Sequence, residues 1–234
     1  MNTSIFLTTR YSSTRLPGKS LLKINGQTVT DILIERLKKT GLPIIICCPD
    51  TIDDVLHMKP IAEKHSIGFF AGEPTNIIKR HYDCAIENNV DTIVNVDGDD
   101  ILTCPEVINA VNYELSSHPQ ANVVKTAWLP LGLNILGYRA KILKDIDYNS
   151  DTNWGAQIKN TYTSTLRFDY DTPYFLSMDY IEDFEVVKNV LENCKRNLLV
   201  GGICDYFKKH PEIAWINYKR NKERFERWGY KCLN

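Results

Sequence analysis

The amino-acid sequence predicts an α/β protein in three layers, with helices on both faces of a mostly parallel sheet. Two observations carry that reading. Strand-length apolar segments alternate with segments of helical period through the first half of the chain, the pattern of repeated β-α units. The chain, 234 residues with 43% hydrophobic and 24% charged, also has the size and composition of a globular domain, which excludes disordered, collagenous and coiled-coil classes.

Ser4–Thr8 reads as the first strand. Asp31–Thr40 places Ile32, Leu33 and Leu37 on one side of a helix that closes at Gly41, where left-handed backbone ends helices. Pro43–Cys48, Ile67–Phe70 and Thr92–Val96 read as strands, separated by helices over Ile52–His65 and Thr75–Asn88. Beyond Pro105, Val107, Ile108, Val111 and Leu115 recur at helical spacing, and Ala121–Thr126 and Asn134–Tyr138 read as two later strands. Lys144–Tyr170 is rich in Asp, Asn, Thr and Tyr without a sustained period and is expected to form loops and short elements over one face of the sheet. Regular structure resumes at Tyr174–Ser177, followed by helices over Ile181–Cys194 and Ile203–Lys208. The basic stretch Lys219–Arg227 reads as a solvated helix face or a dimer contact. One domain over residues 1–234 is expected, with a divergent region at about 139–175 and a helical tail at about 197–234.

Charge and composition exclude several roles. With 28 Lys+Arg against 29 Asp+Glu the net charge is -1, without the basic footprint that holds duplex nucleic acid. No apolar run reaches the roughly 18 residues of a membrane span, and MNTSIFLTTR lacks the basic start of a secretory signal. No nucleic-acid or membrane partner is therefore expected, and a cytoplasmic location is. The seven Cys include no CxxC pair and read as reduced small hydrophobes.

Ligands of an open parallel sheet bind beyond the carboxyl ends of its strands, and the two unusual pieces of sequence follow the first and fifth predicted strands. Arg10–Lys19 packs three cations and three Ser/Thr hydroxyls into ten residues, with Pro17 and Gly18 in the loop. Such a loop supplies charge and donors for a triphosphate, although it is neither a GxxxxGK[ST] nor a GxGxxG motif. Asp97, Asp99 and Asp100 crowd three carboxylates into four residues, a repulsion that a cation offsets, and oxygen donors of this kind suit Mg²⁺. Each segment alone also reads as a solvated turn. Together at one sheet edge they point to a metal–nucleotide site.

These residues resemble those of a known family. RYSSTRLPGKSLLKINGQ is similar to the N-terminal signature of the cytidylyltransferases that activate 3-deoxy-manno-octulosonate, acylneuraminate and related sugar acids. FAGEPTNIIKRHYDCAIENNVDTIVNVDGDD resembles the middle of the spore-coat polysaccharide biosynthesis protein F branch, and the likeness returns at LSMDYIEDFEVVKNVL and HPEIAWIN. It breaks across roughly Lys144 to Phe175. The resemblance implies a Rossmann-like, GT-A-like nucleotide-diphospho-sugar transferase fold. It implies Mg²⁺-dependent transfer of CMP from CTP to an acidic small-molecule acceptor, release of pyrophosphate, a role in surface polysaccharide synthesis, and a homodimer. By position, it puts Arg10, Ser12, Ser13, Arg15 and Lys19 on the triphosphate loop, Asn76 and Arg80 near the nucleotide, and the metal on Asp99 and Asp179. Arg10, Arg15, Lys19, Asp99 and Asp179 form the implied catalytic set. Asp97 stands where the family usually has Gln or Thr, and Ile101 where Pro is common, which leaves the acceptor open.

For the acceptor, Tyr138, Arg139, Trp154 and Gln157 offer stacking and carboxylate-binding groups, against a plain reading of Tyr138 and Trp154 as packing residues. Two other functions compete. Asp97-Gly98-Asp99 also reads as the DxD of a metal-dependent glycosyltransferase, and the chain could be a non-catalytic nucleotide-binding protein. The RLPGK loop favours a free triphosphate over the first, and the paired Asp99 and Asp179 favour catalysis over the second. A phosphorylated small acid or polyol remains an alternative acceptor.

Overall fold

The computed structural model describes residues 2–146, 154–159, 161–170, 172, 174–194 and 198–227, the last four of them by backbone alone. The chain begins with β1 (Thr3–Thr8), a small hairpin of β2 (Lys23–Ile24) and β3 (Gln27–Thr28), and α1 (Val29–Leu37). The repeating part follows as β4 (Ile44–Pro49), α2 (Ile52–His65), β5 (Gly68–Gly72), α3 (Ile77–Glu87), β6 (Thr92–Asp97) and α4 (Pro105–Ser117). The second half holds β7 (Val123–Ala127), β8 (Leu136–Arg139), β9 (Thr163–Arg167), α5 (Ile181–Asn193), α6 (Val200–Lys209), α7 (Pro211–Trp215) and α8 (Tyr218–Arg227).

Seven strands form one sheet in the order β5-β4-β1-β6-β8-β7-β9. β8 runs antiparallel to β6 and β7, and every other pair is parallel. The parallel strands are near-continuous apolar runs because both faces are covered: all six residues of β4 are buried. Along β1, alternation sends Ile5 and Leu7 to one face, with Leu33, Ile34 and Val107, and Phe6 to the other, with Ile78 and Tyr138. Cys47 and Cys48 divide between the two faces in the same way, and the described cysteines are free. Helix starts follow side-chain chemistry. Thr28 accepts from the Asp31 amide while the Asp31 carboxylate accepts from the Thr28 amide, a reciprocal cap on α1. Among the described residues no helix is long and apolar enough to cross a membrane.

Two expectations need correction. The stretch read as loops and short elements over one face of the sheet contains β9, which joins the edge of the sheet itself beside β7, a strand of sequence TSTLR whose alternation is between half-buried and exposed positions. It has one apolar residue, so hydrophobic period could not mark it. Tyr174–Ser177, expected to be regular, contributes only an isolated bridge between Phe175 and Leu131. Part of the divergent region, 147–153, and Cys232 in the tail lie outside the described residues.

The order of strands reverses beside β1: β4 and β5 lie on one side of it and β6 on the other. The crevice that a doubly wound sheet offers to ligands opens at such a reversal.

Candidate active site

A cavity of about 790 Å³ opens over the carboxyl ends of β1 and β6. The two strand exits run against each other there, with the Gly98 amide donating to the Thr8 carbonyl at 2.8 Å. A Cβ on Gly98 would stand 2.5 Å from Thr9 Cβ, so glycine is what lets Asp97 and Asp99 flank the first strand's exit this closely.

At the centre of the cavity Lys19 Nζ bonds to Asp99 Oδ2 at 2.7 Å, to Asp179 Oδ1 at 3.2 Å and to the Met178 carbonyl at 3.0 Å. Arg15 reaches the same Asp179 oxygen at 2.9 Å. Burial works against the Lys19 charge, but Asp99 and Asp179 outweigh it and hold its pKa above the ordinary value. Residues from three distant stretches are thus drawn to one point. Asp179 is set by its own helix: the Asp183 carboxylate accepts from the amides of Asp179 at 2.9 Å and Tyr180 at 2.8 Å. Asp183 is held in turn by Asn217 Nδ2 at 2.9 Å, from the turn that leads into α8.

Burial pushes the Asp97 carboxyl up to about 6, with the Asp99 charge adding to the effect. Burial, Asp99 and Asp97 push Asp100 well above the usual range, where it accepts from the Ser177 hydroxyl. Asp97 is supported by a chain of buried polar groups. Asn95 Nδ2 donates to Asp97 Oδ1 at 3.0 Å, so its Oδ1 faces Thr8, whose hydroxyl donates to it at 2.6 Å. That uses the only proton Thr8 has, so His81 Nε2 must carry the hydrogen of the 2.8 Å contact with Thr8. His81 Nδ1 is then the acceptor for the Tyr138 hydroxyl at 2.5 Å.

Two carboxylates and a main-chain carbonyl converging on one positive centre are hard oxygen donors of the type Mg²⁺ takes, usually with one or two carboxylates, waters and substrate phosphates. Among the described residues no group of three or more His, Cys, Asp or Glu is assembled for a metal. A metal held by Asp99 and Asp179 would complete its shell from phosphate and water.

The cytidylyltransferase family profile matches residues 5–129, more than half of the chain, from β1 through β7 and including both the basic loop and the acidic turn. The chain belongs to the cytidylyltransferase family. Among its relatives, an uncharacterized protein of Methanocaldococcus jannaschii is 26% identical over 229 residues, covering 89% of this chain and 91% of that one. The 3-deoxy-manno-octulosonate cytidylyltransferase of Fusobacterium nucleatum is 33% identical over 110 residues, a match that spans 44% of this chain and 41% of that enzyme. Two solved structures share the fold. A cytidylyltransferase from Leptospira borgpetersenii superposes with a TM-score of 0.81 at 22% identity, covering 92% of this chain and 97% of the other. CMP:2-keto-3-deoxy-manno-octonic acid synthetase complexed with CTP superposes with a TM-score of 0.63 at 15% identity, covering 82% and 99%.

In this cytidylyltransferase-family chain, Arg10 and Ser13 line the cavity with Arg15 and Lys19, whereas Ser12 is exposed outside its lining. Arg80 lies buried in the wall, donating to the Glu73 carbonyl at 2.9 Å, and its Nε has no partner among the described residues. Asn76 is the N-cap of α3, its side chain accepting from the Lys79 amide at 2.8 Å. Its neighbours Thr75 and Ile77 line the cavity instead. Trp154 forms part of the wall, packed edge-on against His81 and Tyr138. Gln157 is half-buried and outside the lining.

Tyr138 and Arg139 correct the sequence reading. Tyr138 is fully buried on His81. Arg139 is buried with its guanidinium on the carbonyls of Ala121 at 2.9 Å and Leu115 at 2.8 Å, where it ties off the end of α4. Neither faces an acceptor. The reason is strand direction: β8 is antiparallel, so the residues that end it lie at the sheet edge away from the cavity, and those that precede it, Gly132 and Asn134 among them, line the cavity. The sequence reading also passed over Tyr180, Arg220 and Glu223, which line the cavity from α8 and the start of α5. Arg220 lies 4.9 Å above the Tyr180 ring and pairs with Glu182 at 3.2 Å.

Proposed function

We propose that the protein transfers CMP from CTP to an acidic, hydroxyl-bearing small molecule of the sugar-acid class and releases pyrophosphate, in the synthesis of a surface polysaccharide. The observation that carries the reading is the convergence of Lys19 and Arg15 with Asp99 and Asp179 at the strand-order reversal. Family membership and the fold shared with a CTP-bound synthetase support it.

In this reading an acceptor hydroxyl oxygen attacks the α-phosphorus in line, the bond from that phosphorus to the bridging oxygen breaks, and pyrophosphate leaves with the electron pair. Arg10, Arg15 and Lys19 hold the leaving phosphates and neutralise the charge that grows on them. Asp99 and Asp179 would hold Mg²⁺, which when bound supplies polarisation of the phosphoryl group. The hydroxyl proton passes to a cavity carboxylate, Asp97 or Asp100, or to water. No covalent intermediate is needed, since positioning and charge neutralisation suffice for the step.

The test is pyrophosphate release with CTP, UTP, GTP or ATP and Mg²⁺, against 3-deoxy-manno-octulosonate, N-acetylneuraminate and phosphorylated small acids and polyols. Release that depends on CTP and on one acceptor class is the expected result. Transfer from a nucleotide sugar without pyrophosphate would establish a glycosyltransferase instead.

A further inference from the structure

The cations of the basic loop stand in the cavity, but what fixes the loop itself lies outside it. Arg10 is exposed and makes no ion pair among the described residues. Tyr11, the next residue, is held on both its backbone and its ring by α2. Its amide donates to Asp54 Oδ1 at 2.5 Å, and its ring stacks on His57 with centroids 3.8 Å apart and planes 27° apart. Asp54 and His57 are three residues apart and so share a face of α2. The ring of Tyr11 also lies near the far end of the loop: its Cε2 is 3.8 Å from where a Cβ would stand on Gly18, which has φ +66. Both ends of the Arg10–Gly18 segment therefore lie close to one side chain.

Asp54 stands in the first turn of α2, beside the Thr51 N-cap, where the helix N-terminus favours a carboxylate. It is fully buried, has no cationic partner among the described residues, and is served by the Thr51 hydroxyl at 2.6 Å and the Tyr11 amide. The Thr51 contact and the first-turn position belong to α2 itself, whereas the bond from the Tyr11 amide reaches outside that helix. Pinning the Arg10–Tyr11 peptide fixes the direction in which the Arg10 side chain leaves the backbone, and closing the loop over Tyr11 fixes the span to Arg15 and Lys19. We infer that Asp54 and His57 are positioning residues that clamp Tyr11 and so set the loop's cations for the β- and γ-phosphates of a nucleoside triphosphate. The inference rests on the triphosphate reading of the loop given above.

The test is calorimetric titration of the full chain with CTP, CMP and inorganic pyrophosphate in the presence of Mg²⁺, together with thermal unfolding. Asp54→Ala should weaken CTP and pyrophosphate roughly tenfold, the loss of one hydrogen bond to a charged group, and leave CMP unchanged. Asp54→Asn, which keeps an acceptor for the Tyr11 amide, should restore most of the affinity. His57→Ala, the second variant should Asp54→Ala fail to fold, should weaken CTP without affecting CMP. Unchanged CTP affinity in the Asp54→Ala and His57→Ala variants overturns the clamp, as does an equal loss for CTP and CMP, which would mark a general structural role. If the parent binds no CTP, the cytidylyltransferase reading fails by itself. Pyrophosphate then decides the clamp by the same comparison, and a parent that binds neither overturns both.

Discussion

Replacing Tyr138 with Phe tests whether the late aromatic belongs to the core or to the acceptor site. The substitution removes one oxygen and leaves the ring where it is. In the parent that hydroxyl is fully buried and donates to His81 Nδ1, and His81 in turn is fixed by Thr8, which has no second proton to offer. The imidazole cannot turn to find another hydroxyl without abandoning Thr8, so the substitution strips the buried His81 Nδ1 of its hydroxyl partner. Such a loss costs about 1–3 kcal/mol. With an unfolding entropy of roughly 2.1 cal/mol/K per residue, a chain of this size changes by about 0.5 kcal/mol per degree near its midpoint, so the melting temperature should fall by about 2–6 °C. Differential scanning calorimetry or circular dichroism measures the shift, and urea unfolding at unchanged m checks that the denatured state is not the cause. Acceptor KM in the pyrophosphate assay should not move. A melting temperature within a degree of the parent, or a rise in acceptor KM without loss of stability, would refute the argument from burial.

Asp99→Asn and Asp179→Asn should each lower pyrophosphate release by roughly a hundredfold or more while circular dichroism shows the fold retained, because Lys19 keeps one of its two carboxylates in either variant. Gly98→Ala places a methyl 2.5 Å from Thr9 Cβ and should destabilise the protein by about 1–3 kcal/mol, with turnover lost as the acidic turn is pushed from β1; a variant as stable and active as the parent would show that the strand exits can part freely. The Asp31 carboxyl, although burial opposes its charge, is held well below its usual range by Lys64, His65 and Thr28. A depressed folded-state pKa gives stability that is present above the unfolded value of 3.8 and is lost as pH falls through the folded one. Denaturant unfolding from pH 6 down to pH 2 should therefore show a decline below about pH 4 that is smaller in Asp31→Asn.

The wound half of the fold was legible because its strands are apolar on both faces and its helices on one, so that β4, β6 and α4 each carry a signal in the identity of their residues. Strand direction carries no such signal. β8 has the same period whether it runs with its neighbours or against them, so the sequence does not show that Tyr138 and Arg139 end it away from the cavity while Gly132 and Asn134, which precede it, line the cavity. β9 is held by backbone pairing to β7, which its polar side chains do not announce. The basic loop and acidic turn were legible as charge crowded at strand ends, a pattern with a cost unless something offsets it. The support of Asp179 was not. It depends on Asp183 meeting Asn217, a polar contact across 34 positions that no period marks; α8, strongly hydrophilic in sequence, lines the cavity through Arg220 and Glu223 and is tied to Asn217 by the buried Asn221.

The position of β1 also bears on how the chain is made. Its partners are β4 and β6, with Thr3 opposite Thr92 and Thr8 opposite Asp97, so β1 is translated well before the second of its two neighbours. Until β6 is translated, one edge of this apolar strand is open, a condition under which nascent chains associate wrongly. Non-local pairing of this kind also slows folding. Expression at reduced temperature or with added chaperone should accordingly change the soluble yield more than the stability of the folded product.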